Sequence, residues 1–451
     1  MSGKLSAKDS LTNGVFPPGY ETEADAEAET EMSFGEPLHV SVTRGTSRFE
    51  SIQRSLSKQA SAVDEEAMAA DCTNAFDLMT WLSGPQRHNG PPFSTRVGLT
   101  FDELSVYGDD VKDRHIATLA TPFWKLIKSA AHGFGLRDMF KPTKPEYRLL
   151  LNKMSGVVAD GEMLLVLGRP GSGCSTLLRV LGNRRKSYRQ IDGAVSYGGL
   201  SPEEVDKRYR SQVAYCAEED HHYPSLTVRQ TLEFAIQCKM TGSHILEDPA
   251  GYKQEFLNAL LDMYGLNNCA DTMIGDAITR GVSGGECKRV SIAEQMAAGA
   301  SVNIWDGSTR GLDSSTALDY VRSLRITTDV LFKSTIASIY QASEDIYELF
   351  DKVMVIDSGR QLYFGPADQA VAYFEAMGFQ KPPRQTSSDF LTGLTRLNER
   401  RVAHGFEDSV PHTAEDFERV WHESSQYRDV RQQVSEFEVQ VQEDKRGNVI
   451  R

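Results

Sequence analysis

Gly168-Arg169-Pro170-Gly171-Ser172-Gly173-Cys174-Ser175-Thr176 follows the G-x-x-x-x-G-K-[ST] pattern of a phosphate-binding loop, except that Cys174 stands where the lysine belongs. The apolar run Met163 to Leu167 ahead of it predicts a strand, and Ser175 to Leu181 behind it predicts a helix, the context that gives the pattern meaning. Glycines let successive backbone N–H groups turn toward phosphate oxygens, and the helix N-terminus adds partial positive charge. Neither contribution needs a lysine. A hydrogen bond from a charged group contributes roughly 1.5 to 3 kcal/mol, and ~1.4 kcal/mol is tenfold in affinity. The missing ammonium is therefore expected to weaken nucleotide binding by about one to two decades. Ser175 keeps a hydroxyl able to ligate Mg²⁺. A thiol beside a polyphosphate is expected to stay protonated, so Cys174 is not expected to act as a nucleophile.

Downstream, Gly281-Val282-Ser283-Gly284-Gly285-Glu286 runs into Cys287-Lys288-Arg289-Val290-Ser291-Ile292-Ala293-Glu294. Read from residues alone, Ser283 and Glu286 form a capping box opening a helix. The string also resembles the signature motif of ATP-binding cassette (ABC) proteins, and a capped, glycine-flanked helix N-terminus suits a γ-phosphate held by a partner domain. Ser301-Val302-Asn303-Ile304-Trp305-Asp306 resembles the Walker B strand that ends in a Mg²⁺-binding carboxylate. The glutamate that normally follows is Gly307, which has no side chain to accept a proton, and general-base assistance worth ~10²- to 10⁴-fold is lost. Thr309-Arg310-Gly311-Leu312-Asp313 resembles the D-loop, with Asp313 facing the second subunit. Beyond a predicted strand, Ser334 to Ile339, the family's switch histidine is replaced by Tyr340, and a phenol does not titrate near neutrality as an imidazole does. Tyr215-Cys216-Ala217-Glu218 places Glu218 at the glutamine-loop position, where a carboxylate still ligates Mg²⁺ but adds negative charge beside a triphosphate. A second capping box, Thr227 with Gln230, opens a helix running toward Met240.

Cys174, Glu218, Gly307 and Tyr340 together resemble the N-terminal nucleotide-binding domain of fungal pleiotropic drug resistance (PDR) ABC transporters of the ABC-G type. The resemblance runs from Phe101 to Tyr427 and includes Gly359-Arg360-Gln361-Leu362-Tyr363-Phe364-Gly365, Pro382 through Thr392, and Gly405-Phe406-Glu407. Gly307, where asparagine is more common, and Cys287, where arginine is usual, depart from it. The resemblance implies an α/β ABC-type P-loop NTPase with a RecA-like mixed sheet core, an antiparallel β subdomain and an α-helical signature subdomain. It implies ATP and Mg²⁺ as cofactors, bound by residues 168–176 with Glu218 and Asp306, the metal being held by Ser175, Glu218 and Asp306. It also implies partners absent from this chain, a second nucleotide-binding domain and transmembrane domains, on the cytosolic face of a membrane, the plasma membrane in a full transporter. Cassettes of this family pair head to tail, so the intact signature, Val282 to Glu286, is expected to complete a hydrolytic site on a partner, while this chain's own site turns over slowly or not at all. The implied activity is ATP-driven efflux of hydrophobic compounds.

The domain reading is a tail over 1–70, a helical lead-in and linker over 71–96, the cassette over 97–395 with its helical subdomain at about 225–300, and a polar connector over 396–451. Glu21 to Glu31 is acidic and poor in bulky apolar residues, so the tail is expected to be disordered; Arg48 with Ser51, and Arg54 with Ser57, have the spacing of phosphorylation sites. Asp71 to Leu82 and Thr121 to Arg137 are expected to be helical, and Tyr107 is a candidate for stacking on adenine. No run approaches the ~18 to 20 apolar residues that span a bilayer, so membrane contact is expected only through partner domains. Ending at Arg451, the chain reads as a fragment, a truncated product or an incomplete gene model. The six cysteines show no metal-ligand spacing, and a net charge of −14 argues against a nucleic-acid partner. Two rival readings are a soluble regulatory pseudo-ATPase and a soluble ABC ATPase acting on ribosomes or DNA.

Overall fold

The computed structural model describes residues 97–109, 147–239 and 249–449, apart from 277, 397 and 408. The readings made for 1–70, 71–96 and 121–137 lie outside the described residues. Strand β1 (Leu99–Asp109) pairs antiparallel with β2 (Tyr147–Val158), and β3 (Met163–Leu167) has all five residues buried. Such a continuous apolar run suits a strand covered on both faces. Helix α1 (Cys174–Leu181) leaves β3 through the glycine loop, and β4 (Gln190–Tyr197) returns to pair antiparallel with β1. After α2 (Pro202–Arg208) comes β5 (Val213–Cys216).

The helical portion follows as α3 (Val228–Lys239), α4 (Pro249–Met263) and α5 (Gly284–Ala297). The chain re-enters the sheet as β6 (Val302–Trp305), crosses α6 (Ser314–Leu331) and forms β7 (Ser334–Ser338). A one-turn helix, α7 (Glu344–Tyr347), precedes the hairpin of β8 (Lys352–Asp357) and β9 (Arg360–Pro366). The two residues of its turn, Ser358 and Gly359, both have positive φ, 51° and 77°, the handedness that tight hairpins demand. Any Cβ on Gly359 would sit 2.2 Å from the Leu150 carbonyl oxygen.

The strand order is β4-β1-β2-β9-β8-β3-β7-β6-β5. The β8, β3, β7, β6 and β5 neighbours are parallel, β8–β9 is antiparallel, and β4-β1-β2 is the antiparallel part, joined to β9 through the single pair Asn152–Arg360. This is the expected ABC ATPase architecture: a mixed P-loop sheet, an antiparallel extension and a helical insertion between β5 and β6. Both capping boxes form. Thr227 accepts from Gln230 N at 3.2 Å, and Ser283 accepts from Glu286 N at 3.3 Å while the Glu286 carboxylate takes Ser283 N–H at 2.7 Å.

The C-terminal stretch differs from the polar connector expected for it. After α8 (Ala367–Ala376) and α9 (Ser387–Gly393), residues 414–449 fold as α10 (Ala414–Glu423) and α11 (Ser425–Val449) and pack back on β9, β2 and β1. Phe417 and Trp421, one turn apart, are buried; Trp421 lies 5.7 Å from the Tyr363 ring, and Phe417 stacks on Phe379 at 5.6 Å. Val430 and Val434 of α11 join the same core, and Arg431 pairs with Asp102. The many charges that suggested a connector lie outward, including Glu415, which pairs with Arg360. Replacing a buried aromatic by alanine costs ~3–5 kcal/mol, so Trp421→Ala is expected to lower unfolding free energy by about that much in a denaturant titration. A change under ~1 kcal/mol contradicts the packing role of α10.

Candidate functional site

The glycine loop ends in a left-handed Gly173 (φ 111°) that turns directly into α1. A side chain there would also press on Leu151, so glycine is required twice over. Gly171 is left-handed as well (φ 85°), with open space around it. Ser172 is buried beneath the loop, and its hydroxyl donates to the Arg169 carbonyl at 2.7 Å. Arg169 is anchored sideways, 3.0 Å from Asp357 and 2.9 Å from the Ser358 hydroxyl.

At the open end of the sheet, Asp306 gathers three hydroxyls. Ser175 Oγ donates to Oδ1 at 2.9 Å, Ser338 Oγ donates to the same oxygen at 3.1 Å, and Tyr215 OH donates to Oδ2 at 2.8 Å. Burial, then the Asp306 charge, push the Tyr215 phenol well above its ordinary value, so it remains a donor. Ser175 and Asp306, 131 residues apart, are thus in direct contact.

A cleft of ≈ 990 Å³ opens over this corner. Of the sequence-predicted ligands, Gly168 to Gly171, Gly173 to Thr176, Glu218 and Asp306 line it, together with Gly307 and Tyr340; Ser172 supports the loop from below. Cys174 faces the cleft, but burial pushes its thiol up to about 11, the Ser172 hydroxyl offsetting part of the rise and the Asp306 charge adding to it. It is a neutral group at physiological pH and contributes no cation. Position 307 offers no carboxylate, and Tyr340 is 61% exposed.

Val282 to Glu286 and Asp313 do not line this cleft. Ser283 and Gly284 are exposed at the start of α5. Asp313 caps α6 by accepting from Thr316 N at 3.1 Å and Ser315 Oγ at 2.6 Å, and these hydrogen bonds hold its carboxyl well below the usual range. Tyr107 lies in β1 opposite Leu149 and Gln190 and is not among the residues that line the cleft.

Three contributors escaped sequence reasoning. Ser338 and Tyr215 complete the shell of Asp306. Arg310 lines the cleft and forms an ion pair with Glu218. Residues of and after α9, among them Ser388, Thr392 and Arg396, form the far wall. Several of these side chains lie in quoted strings, but no string gives them these roles, because the contacts of Ser338, Tyr215 and Arg310 cross gaps of 32 residues or more in sequence. Ser175 Oγ, Asp306 and Glu218 are all oxygen donors, a set that fits Mg²⁺.

The loop, the buried carboxylate beside it and the mixed sheet define an ABC-type P-loop ATPase domain, and residues 151–310 match the family described as ABC transporter. ABC transporter G family member 15 of Dictyostelium discoideum is 46% identical over 344 residues, covering 76% of this chain and 23% of that protein. ABC multidrug transporter atrF of Aspergillus flavus is 44% identical over 395 residues, covering 84% of this chain and 25% of its own length. Among solved structures, a bacterial Atm1-family ABC exporter with ATP bound aligns over 62% of this chain and 41% of its own, at 20% identity and a TM-score of 0.44. The chain carries an ABC transporter nucleotide-binding domain of the ABC-G family, and membership in that class implies ATP binding. It spans about a quarter of the length of the curated relatives it matches. No helix among the described residues is long and apolar enough to cross a membrane.

A raised thiol value means less thiolate at any given pH. Cys174 is therefore expected to resist iodoacetamide at pH 8, when the exposed Cys238 is modified, and to react only as the pH nears 11. Peptide mass spectrometry after timed labelling reads the two sites separately.

Proposed function

We propose that this domain binds MgATP in the cleft, hydrolyses it slowly or not at all at its own site, and presents Val282 to Glu286 to the nucleotide of a second cassette. The reading rests above all on one juxtaposition: Ser175 and Asp306 meet at 2.9 Å beside the glycine loop, while the next residue, Gly307, is bare. Main-chain N–H groups of residues 168–176 hold the phosphates, Ser175, Asp306 and Glu218 hold the metal, and no side chain at 307 activates water. ATP bound here supplies the polyphosphate charge that the loop is shaped to neutralise.

The exposure of Ser283 and Gly284, set at the N-terminus of a fully capped helix, supports the second half of the reading. A capping box leaves the remaining N–H groups of the first turn pointing outward, where an external phosphate can take them. Asp313 is hydrogen-bonded and ionised at its own helix start, an acceptor available to a facing domain. The names of the relatives, ABC-G members and multidrug transporters, support a role in an ATP-driven efflux transporter of the fungal PDR type. In that role the domain docks on transmembrane domains at the cytosolic face of a membrane.

Calorimetric titration of the chain with MgATP tests the binding half. Ser175→Ala, which removes a metal ligand and one donor to Asp306, is expected to weaken binding by ~10-fold or more, while phosphate release by the unmodified chain stays near background. Vigorous turnover that Ser175→Ala abolishes would defeat the reading. Installing the missing carboxylate is expected not to restore turnover. Gly307 has φ 56°, and a Cβ there would lie 3.1 Å from Glu218 Cγ. Gly307→Glu is thus expected to cost ~1–2 kcal/mol of stability from the left-handed backbone, with ATPase rates unchanged.

A further inference from the structure

Arg310 stands on the tight turn that follows Asp306, its N–H bonded to the Gly307 carbonyl at 3.1 Å. Its guanidinium pairs with the Glu218 carboxylate, and both residues line the cleft. The absent side chain at 307 leaves room for this, because Glu218 passes over the turn where a Cβ would crowd it. Two other arginines line the cleft. Arg169 is held away by Asp357 and Ser358, and Arg396 sits on the far wall beside Glu399, 2.6 Å away. Arg310 alone of the three is tethered to the Ser175–Asp306 corner.

We propose that Arg310 is a phosphate ligand of this site, delivering the cation that Cys174 does not, and that bound nucleotide takes it from Glu218. The inference rests on the nucleotide-site reading above and adds a residue and an exchange to it. In the free protein the Arg310–Glu218 pair is solvent-facing, with side-chain exposures of 71% and 40%, and such exposed pairs are weak. A triphosphate offers a guanidinium a denser charge and paired oxygens in the fork geometry it fits best, so the phosphate wins the competition. The freed carboxylate of Glu218 then faces a triphosphate, which repels it unless a divalent cation lies between them. One exchange thereby makes phosphate binding and metal binding mutually dependent.

The test titrates the full chain with ATP in excess Mg²⁺ and with ATP in EDTA, at low and high salt. Arg310→Ala is expected to weaken MgATP binding at least tenfold and to flatten its salt dependence, with Arg310→Lys intermediate. Glu218→Gln, which leaves Arg310 in place but unclaimed, is expected to tighten ATP binding in EDTA several-fold and to shrink the gain that Mg²⁺ brings. Arg210→Ala, which breaks an exposed pair with Asp206 on the surface, serves as the neutral control. If the unmodified chain binds no ATP, the nucleotide-site reading itself falls. If it binds and Arg310→Ala binds as well as it does, or Glu218→Gln leaves binding in EDTA unchanged, the exchange is overturned while the site stands.

Discussion

A buried carboxylate must be met by donors, and Asp306, only 2% exposed, finds them on three separate segments. Its oxygens take hydroxyls from Ser175 at the start of α1, from Ser338 at the end of β7 and from Tyr215 in β5. Leaving any of these unmade costs a nearly buried carboxylate one of its hydrogen bonds. That demand pulls the glycine loop, the end of β7 and the edge strand β5 to one point at the same end of the parallel sheet. The cleft exists because that corner is closed below and open above. Ser338 extends the same connection to the turn, accepting the Gly307 N–H at 2.9 Å, so the backbone that presents Arg310 is set by the shell that satisfies Asp306.

A second polar path leads from Glu218 at the cleft to α5. Lys288, 3% exposed in α5, donates to the Glu218 carbonyl at 2.7 Å and pairs with Asp220 at 2.9 Å. Ser291, one turn further along α5, donates to Asp220 at 2.6 Å and meets the His222 ring at 2.8 Å, and His222 also lies 3.4 Å from Glu294. Burial opposes charge on that imidazole, but its contacts with Cys287 and Glu294 outweigh the burial and push it up to about 9. An imidazolium, an ammonium and two carboxylates therefore knit the 218–222 segment to α5 at neutral pH. These part-buried contacts join the Glu218 backbone to the helix whose first turn carries Ser283.

What could be read in advance follows from the range of the forces involved. β3 is a five-residue apolar run between polar flanks, and both capping boxes are reciprocal contacts three residues apart, so local sequence contains all the information that builds them. The motif residues 168–176 and Asp306 were legible because their chemistry is bound to fixed spacing. The packing of α10 on β9 was not, since Phe417 and Trp421 are two apolar residues in a charged segment, and the aromatic pocket that receives them is contributed by Tyr363, Phe374 and Phe379. Tyr107 was an aromatic at a strand end, and its partners in the sheet, Leu149 and Gln190, follow only from the register. The Glu218–Arg310 pair spans 92 residues. Neither partner belongs to a motif that names the other, and the space between them depends on a side chain that is missing.

The losses in this site behave as a set once charge and shape are considered together. Against the hydrolytic pattern, Cys174 removes a positive charge, Gly307 removes a negative one, and Glu218 adds a negative one where the pattern has a neutral amide. The corner is left with one excess negative charge, and Arg310 is the cation that pairs with it. Two of these positions, 218 and 307, are also coupled sterically, because the Glu218 side chain occupies the approach that a residue at 307 would need and the left-handed backbone at 307 favours glycine. Restoring the glutamate at 307 by itself therefore meets a left-handed backbone, crowding by Glu218 and a further negative charge. The loop's main-chain donors do not depend on the side chains at 174 and 307, and the glycine loop, Ser175 and Asp306 meet here with cysteine and glycine at those positions.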